Sequence, residues 1–147
     1  MSHVVSLRLQ EEQLDALRRA ARCMGRTTSE AAAMLLEEAL RQQRFAFVQF
    51  RDSPAGRQAY IQGTRVAVWQ VVWLVRECQG DEQRVARHLG LPLIQVKAAL
   101  NYADAFAEEI EAAIEHNAID AETIRRLVPA LEVLAVDAQS GGDAAVA

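Results

Sequence analysis

In the stretch "HVVSLRL" (His3–Leu9), Val4, Ser6 and Arg8 alternate with Val5, Leu7 and Leu9. On an extended backbone successive side chains point to opposite faces. Three apolar groups would then share one face, and a hydroxyl and a guanidinium the other. A guanidinium held this way presents a planar fork of N–H donors that matches a guanine edge or a phosphate. Ser6 can donate or accept, whereas Val4 offers only an apolar touch, at most to a thymine methyl. A second group, Thr27, Thr28 and Ser29 ahead of Glu30, has the spacing of a helix start whose free N–H groups suit an anion. Simple capping would use the same residues without any ligand. A third group, Gln95, Lys97 and Asn101, sets amide and ammonium donors on a segment of helical spacing. These are chemistries of recognition. No Ser/His/Asp set, paired carboxylates, glycine-rich phosphate loop or metal-ligand spacing accompanies them, so neither enzyme activity nor a cofactor or metal is expected.

Composition narrows the classes further. Of 147 residues, 51% are hydrophobic and 24% charged, which is globular usage. No run of about 18 apolar residues suggests a membrane span. The N-terminus has neither the basic region nor the apolar core of a signal peptide. With two distant cysteines, Cys23 and Cys78, read as buried free thiols, a reducing cytoplasm is expected. The net charge of −4 is unevenly placed. Residues 1–46 carry seven arginines against six acidic residues, and residues 47–106 seven basic against five acidic. Residues 107–147 carry nine acidic residues against two arginines. Such a chain can meet DNA at one end and a basic partner at the other.

The alternating stretch needs a partner strand, because a lone strand leaves its backbone groups unpaired. The sequence behind it is helical. Leu14, Leu17, Ala20, Ala21 and Met24 recur at spacings of three and four, Gly25 stops that helix, and a capping box at Thr27–Glu30 starts the next, which ends near Arg44. Some 45 residues cannot bury a core alone. Two copies pairing their strands antiparallel about a two-fold axis would supply both the ladder and the core. On this alternation, the "MGRTTSE" turn and the apolar spacing, residues 3–44 resemble the ribbon-helix-helix domain of Arc, MetJ and CopG-like repressors. The resemblance implies a paired ribbon in the DNA major groove, with Val4, Ser6 and Arg8 facing bases and Thr27, Thr28 and Ser29 near phosphate. Val4 departs from the polar residue usual there.

After Phe45 a second unit begins. Val48–Phe50 has the composition of a short strand, Asp52–Gly56 is turn chemistry, and Gln58–Trp69 is expected to form two short strands around Gln62-Gly63. Trp69 and Trp73, four apart, are expected in the core. Asp81 caps a short helix that Gly90 stops, and Pro92 opens one long helix expected to continue to Ile114. The segment Asp81–Tyr102 has helix-turn-helix spacing, exposing Gln95, Lys97 and Asn101 either to DNA or to another protein surface. Through "IQGTRVAVWQVV" and "VARHLGLPLIQVKAALNYA", residues 48–106 resemble the domain of unknown function 433 family, which is associated with bacterial antitoxins, often beside PIN-domain ribonuclease toxins.

Beyond the second unit an acidic segment places Ile119, Ile124, Leu127, Val128 and Leu131 where a partner's groove could bury them, before a disordered end. The expected organisation is therefore mostly α: a ribbon-helix-helix dimerisation domain (1–45), a short hairpin with a helix-turn-helix-like bundle (46–116), and an acidic C-terminal segment (117–147). The resemblances together imply a VapB-like type II antitoxin. It would be a homodimer or dimer of dimers that binds operator DNA as an autorepressor and neutralises a PIN-like ribonuclease. The alternative is a ribbon-helix-helix regulator that acts without a toxin.

Overall fold

Capping chemistry sets the ends of the first helices. The computed structural model describes residues 1–127, with side chains through residue 118. Helix α1 (Glu11–Met24) ends at Gly25, whose φ of 64° is open to a residue without a Cβ. Helix α2 (Thr28–Arg44) begins in a reciprocal box: the Glu30 N–H donates to Thr27 Oγ1 at 3.2 Å, and the Thr27 N–H donates to Glu30 Oε2 at 2.9 Å. The two helices pack on one another. Both lie within a unit that runs to Ile114, and a second unit begins at Glu115. The division drawn after residue 45 does not coincide with a gap in packing, because α2 also packs on the sheet and Phe45 lies in the main core.

That sheet is one antiparallel pair, β1 (Val48–Ser53) and β2 (Gly56–Ile61), in register from Val48 opposite Ile61 to Ser53 opposite Gly56. The hairpin therefore turns at Pro54-Ala55, where Ser53 Oγ donates to the Gly56 carbonyl at 2.7 Å and accepts from the Ala55 N–H. The strand at Val48–Phe50 and the turn at Asp52–Gly56 are as expected; of the two strands expected around Gln62-Gly63, the first forms within β2 and the second does not form. After Ile61 the chain does reverse, but only Tyr60 and Ala67 form a bridge. The Ala67 N–H is taken by Gln70 Oε1 at 2.8 Å, which starts helix α3 (Val68–Glu77) and ends any ladder.

Three helices close over the hairpin: α3, α4 (Glu82–Leu89) and α5 (Leu93–Ala105). Each of these helices packs on the other two, and α3 also on β2. Asp81 accepts the Arg84 N–H to start α4, and Gly90, again left-handed, ends it. The core joins Ile61, Val68, Val71, Val85, Val96 and Tyr102. The helix expected from Pro92 to Ile114 is broken. Phe106 takes φ −127° and ψ 45°, and α6 (Ala107–Leu127) starts afresh. At the break the Phe106 ring lies 4.7 Å from the Tyr102 ring and 5.5 Å from the Phe45 ring.

Two other expectations are corrected. Trp69 packs on the core, but Trp73 is exposed because α3 turns it outward beside Arg76 and Glu77. Cys23 is exposed rather than buried, because α1 packs on α2 and the row of Leu14, Leu17, Ala21 and Met24 is its covered side. The described residues contain six helices and one two-stranded sheet, a mostly α fold. Ile61 is fully buried where β2, α3 and the Thr64 turn meet. Ile61→Ala is expected to cost about 2–4 kcal/mol, read as a lower urea midpoint at unchanged slope.

Candidate functional site

The N-terminal recognition residues stand on no regular element. Residues 1–10 are exposed throughout and take neither strand nor helix in the single chain. The apolar alternation is uncovered: Val5 is 74% exposed, Leu7 67% and Leu9 43%. Val4, Ser6 and Arg8 are exposed as well. What anchors the segment is the start of α1, where the Gln10 N–H donates to Gln13 Oε1 at 3.0 Å.

Thr27, Thr28 and Ser29 lie at the far end of α1 from Arg8. Fourteen helical residues separate them, about 21 Å of axis, so one chain does not bring the two groups together. At the start of α2 the Glu30 carboxylate already occupies the Thr27 N–H and accepts from the Thr27 hydroxyl. These bonds, the backbone one foremost, hold Glu30 below the usual carboxylate range, aided by nearby Arg26. An incoming anion would meet the Thr28 and Ser29 N–H groups and Arg26, with Glu30 opposing it.

The trio on α5 is divided. Lys97 and Asn101 are both exposed and, four apart, share a face. Gln95 is half-buried and points about 160° away from Lys97, as two-residue spacing on a helix requires. Ile94, 62% exposed, joins the Lys97–Asn101 face instead, a residue the polar reading had passed over. Beside this face, Gln83, Arg87, Leu91 and Leu93 border an open groove of about 490 Å³. Of the C-terminal apolar set, Ile119, Ile124 and Leu127 fall within α6, while Val128 and Leu131 lie outside the described residues. The expected disordered end also lies outside them.

Two ion-pair clusters went unread in the sequence, and both are centred on α2. Glu38, itself buried, takes a bidentate pair from Arg57, Nε to Oε1 at 2.7 Å and Nη2 to Oε2 at 2.9 Å, and Asp52 adds a third contact. One turn on, Arg41 Nη1 donates to Tyr102 Oη and to Glu109 Oε2, each at 2.7 Å, and Arg41 also pairs with Glu37. Its guanidinium stacks 3.8 Å from the centre of the Phe106 ring. Burial opposes the charge on Arg41, but the bonds to Glu109, Glu37 and Tyr102 outweigh it and raise its pKa. A residue pattern of Glu-Glu-x-x-Arg on a helix was the available signal. Nothing local said that its partners would come from 19 to 68 residues away.

Among the described residues no cluster of His, Cys, Asp and Glu could hold a metal ion, and no helix is long and apolar enough to cross a membrane. Residues 51–103, from within β1 to within α5, match the family model described as protein of unknown function DUF433. No curated protein and no solved structure matches the chain.

The Tyr102 cluster has a consequence for pH. Burial first, and the Glu109 carboxylate second, push the Tyr102 phenol up from its ordinary value of 10.0, with Arg41 partly offsetting them. The unfolded chain thus loses this proton before the folded one does, so stability is retained below about pH 10 and falls as pH rises beyond it. In Tyr60→Phe, which leaves Tyr102 as the single tyrosine, ultraviolet titration should show ionisation delayed beyond pH 10 and coincident with unfolding. Ionisation at the ordinary value in a folded protein would contradict the assignment.

Proposed function

We propose that the protein is the antitoxin of a type II toxin–antitoxin pair. Two copies pair their N-terminal strands into a ribbon that binds operator DNA and represses the antitoxin's own gene. The C-terminal segment binds and neutralises a PIN-like ribonuclease. The observation that carries the reading is the alternating segment at residues 4–9, whose apolar face no part of its own unit covers. Burying Val5, Leu7 and Leu9 is worth about 1.5–3 kcal/mol each, and pairing the backbone of a second copy meets the need of every N–H and C=O along the strand. The same pairing turns Ser6 and Arg8 outward, at the width a major groove accepts.

Other features agree with this reading. An α1–Gly25–α2 hairpin with a reciprocally capped second helix follows directly, as the ribbon-helix-helix resemblance requires. The match at residues 51–103 is to a family whose resemblance already pointed toward antitoxins. A repressor acting alone would share the DNA-binding half. The nine acidic residues against two arginines over residues 107–147 favour a toxin partner, because a nuclease surface that holds RNA phosphate is basic.

Arg8→Ala should weaken operator binding by about 1–3 kcal/mol and relax sequence preference, measured by gel shift at fixed salt. Unchanged affinity and preference would remove Arg8 as a reader. A chain ending at Asn117 should still bind DNA but fail to protect cells expressing the ribonuclease encoded in an adjacent reading frame. Protection by that shortened chain would place toxin binding elsewhere.

A further inference from the structure

We infer that the outward face of α3 is a docking surface for a basic protein, with the Trp73 indole as the seat of a lysine or arginine side chain of that partner. The inference rests on the reading that a basic ribonuclease is the partner. It gives that partner a contact on the folded unit in addition to the C-terminal segment.

Helix α3 is a fixed platform. Gln70 Oε1 accepts the Ala67 N–H at 2.8 Å and sets the start of the helix. Val68, Val71 and Val72 are buried, and α3 packs on β2, α4 and α5. These contacts fix the rotation of the helix about its axis and leave Trp73 44% exposed. Among the described residues no other Phe, Tyr or Trp side chain is exposed. A single exposed apolar residue is ordinary on a protein surface. What sets Trp73 apart is the charge around it and the cation it lacks.

Arg76, one turn along the same face, has the reach to lay its guanidinium over the indole. Instead it donates to both carboxylate oxygens of Glu111 on α6, with Nη1 to Oε2 at 3.0 Å. Phe45, Phe50, Tyr60 and Phe106 each have an arginine over the ring, whereas among the described residues none lies over Trp73. Indole has the best face for a cation of any side chain, and here that face is open. The charge around it is negative. Over residues 68–82 and 107–114 six acidic residues stand against Arg76 alone. Arg76 answers Glu111 and Arg41 answers Glu109, but Glu77 and Glu108 are exposed and form no ion pair among the described residues. These carboxylates repel a nucleic-acid phosphate, and a second copy would bring its own acids against them. A lysine or arginine from a surface built to hold RNA meets both needs, stacking on the indole and neutralising Glu77 or Glu108. Tryptophan and arginine are also the side chains that most often carry the energy of an interface.

The test uses the full-length chain with fluorotryptophan at its two tryptophans, Trp69 and Trp73, and the purified ribonuclease encoded in the adjacent reading frame. Fluorine NMR reads each indole separately from the partner, and Trp73→Phe assigns the two resonances. The Trp73 resonance should lose its solvent isotope shift when the ribonuclease binds, while Trp69 stays as it was. Trp73→Ala, folded by its melting curve, should bind about 10- to 100-fold more weakly, and Trp73→Phe, which keeps a weaker cation-binding ring, should lose less. Glu77→Gln/Glu108→Gln should slow association and flatten its salt dependence. A ribonuclease that binds while Trp73 stays open to solvent would overturn the inference and leave the toxin reading standing. So would loss of the solvent shift on concentrating the chain by itself, which would make this face a contact between copies. If the ribonuclease does not bind the full-length chain at all, the toxin reading falls and takes this inference with it.

Discussion

Arg41 is the side chain on which the arrangement of the unit turns. Its guanidinium gathers Glu37 from α2, Tyr102 from α5, Glu109 from α6 and the ring of Phe106 from the break between those last two helices. Taking a guanidinium this far out of water is costly, and the cost is met by hydrogen bonds to ionised or polar partners and by stacking. One of its nitrogens, Nε, is buried without a partner, so the cluster is held mainly by the Nη groups and the ring. A lysine could not reproduce this, because one ammonium cannot serve three acceptors in a plane and also lie flat on an aromatic face.

From that junction the two halves of α2 acquire different tasks. Its start is governed by local capping, with the Glu30 carboxylate on the Thr27 N–H. Its end is tied down, by Arg41 to the helices and by the Glu38–Arg57 pair to the hairpin. Leu36 and Leu40, on the same end of the helix, remain exposed and add to the apolar surface left open by Val5, Leu7 and Leu9. The position of α5 relative to α2 would follow from the Arg41–Tyr102 bond, not from a flexible linker.

The hairpin and the helix break show where local signals stopped short. Pro54-Ala55 and Gln62-Gly63 both carry turn residues, and the sequence offered a strand on either side of each. What decided between them was the pairing of six residues with six across Pro54-Ala55, against a single bridge across Gly63. Likewise the apolar stripe from Val96 to Ile114 is continuous in sequence, and no glycine or proline interrupts it. At Phe106 the backbone leaves helical φ and ψ, while the Phe106 N–H still donates to the Tyr102 carbonyl and the ring packs with Phe45, Tyr102 and Arg41.

Features whose cause is local were legible in the residues alone. Gly25 and Gly90 at helix ends, the Thr27–Glu30 box, the Asp81 cap and the mostly helical character follow from backbone conformations and side chains within a few positions. The alternation of Val5, Leu7 and Leu9 was equally plain, and so was the lack of any strand nearby to meet it. Tertiary structure alone decided which acid each arginine would find, that Trp73 would face outward, and that Ile94 rather than Gln95 would stand with Lys97 and Asn101. Those outcomes depend on contacts between residues far apart in the chain and on the rotation of each helix about its axis. Both are set only when the whole core closes.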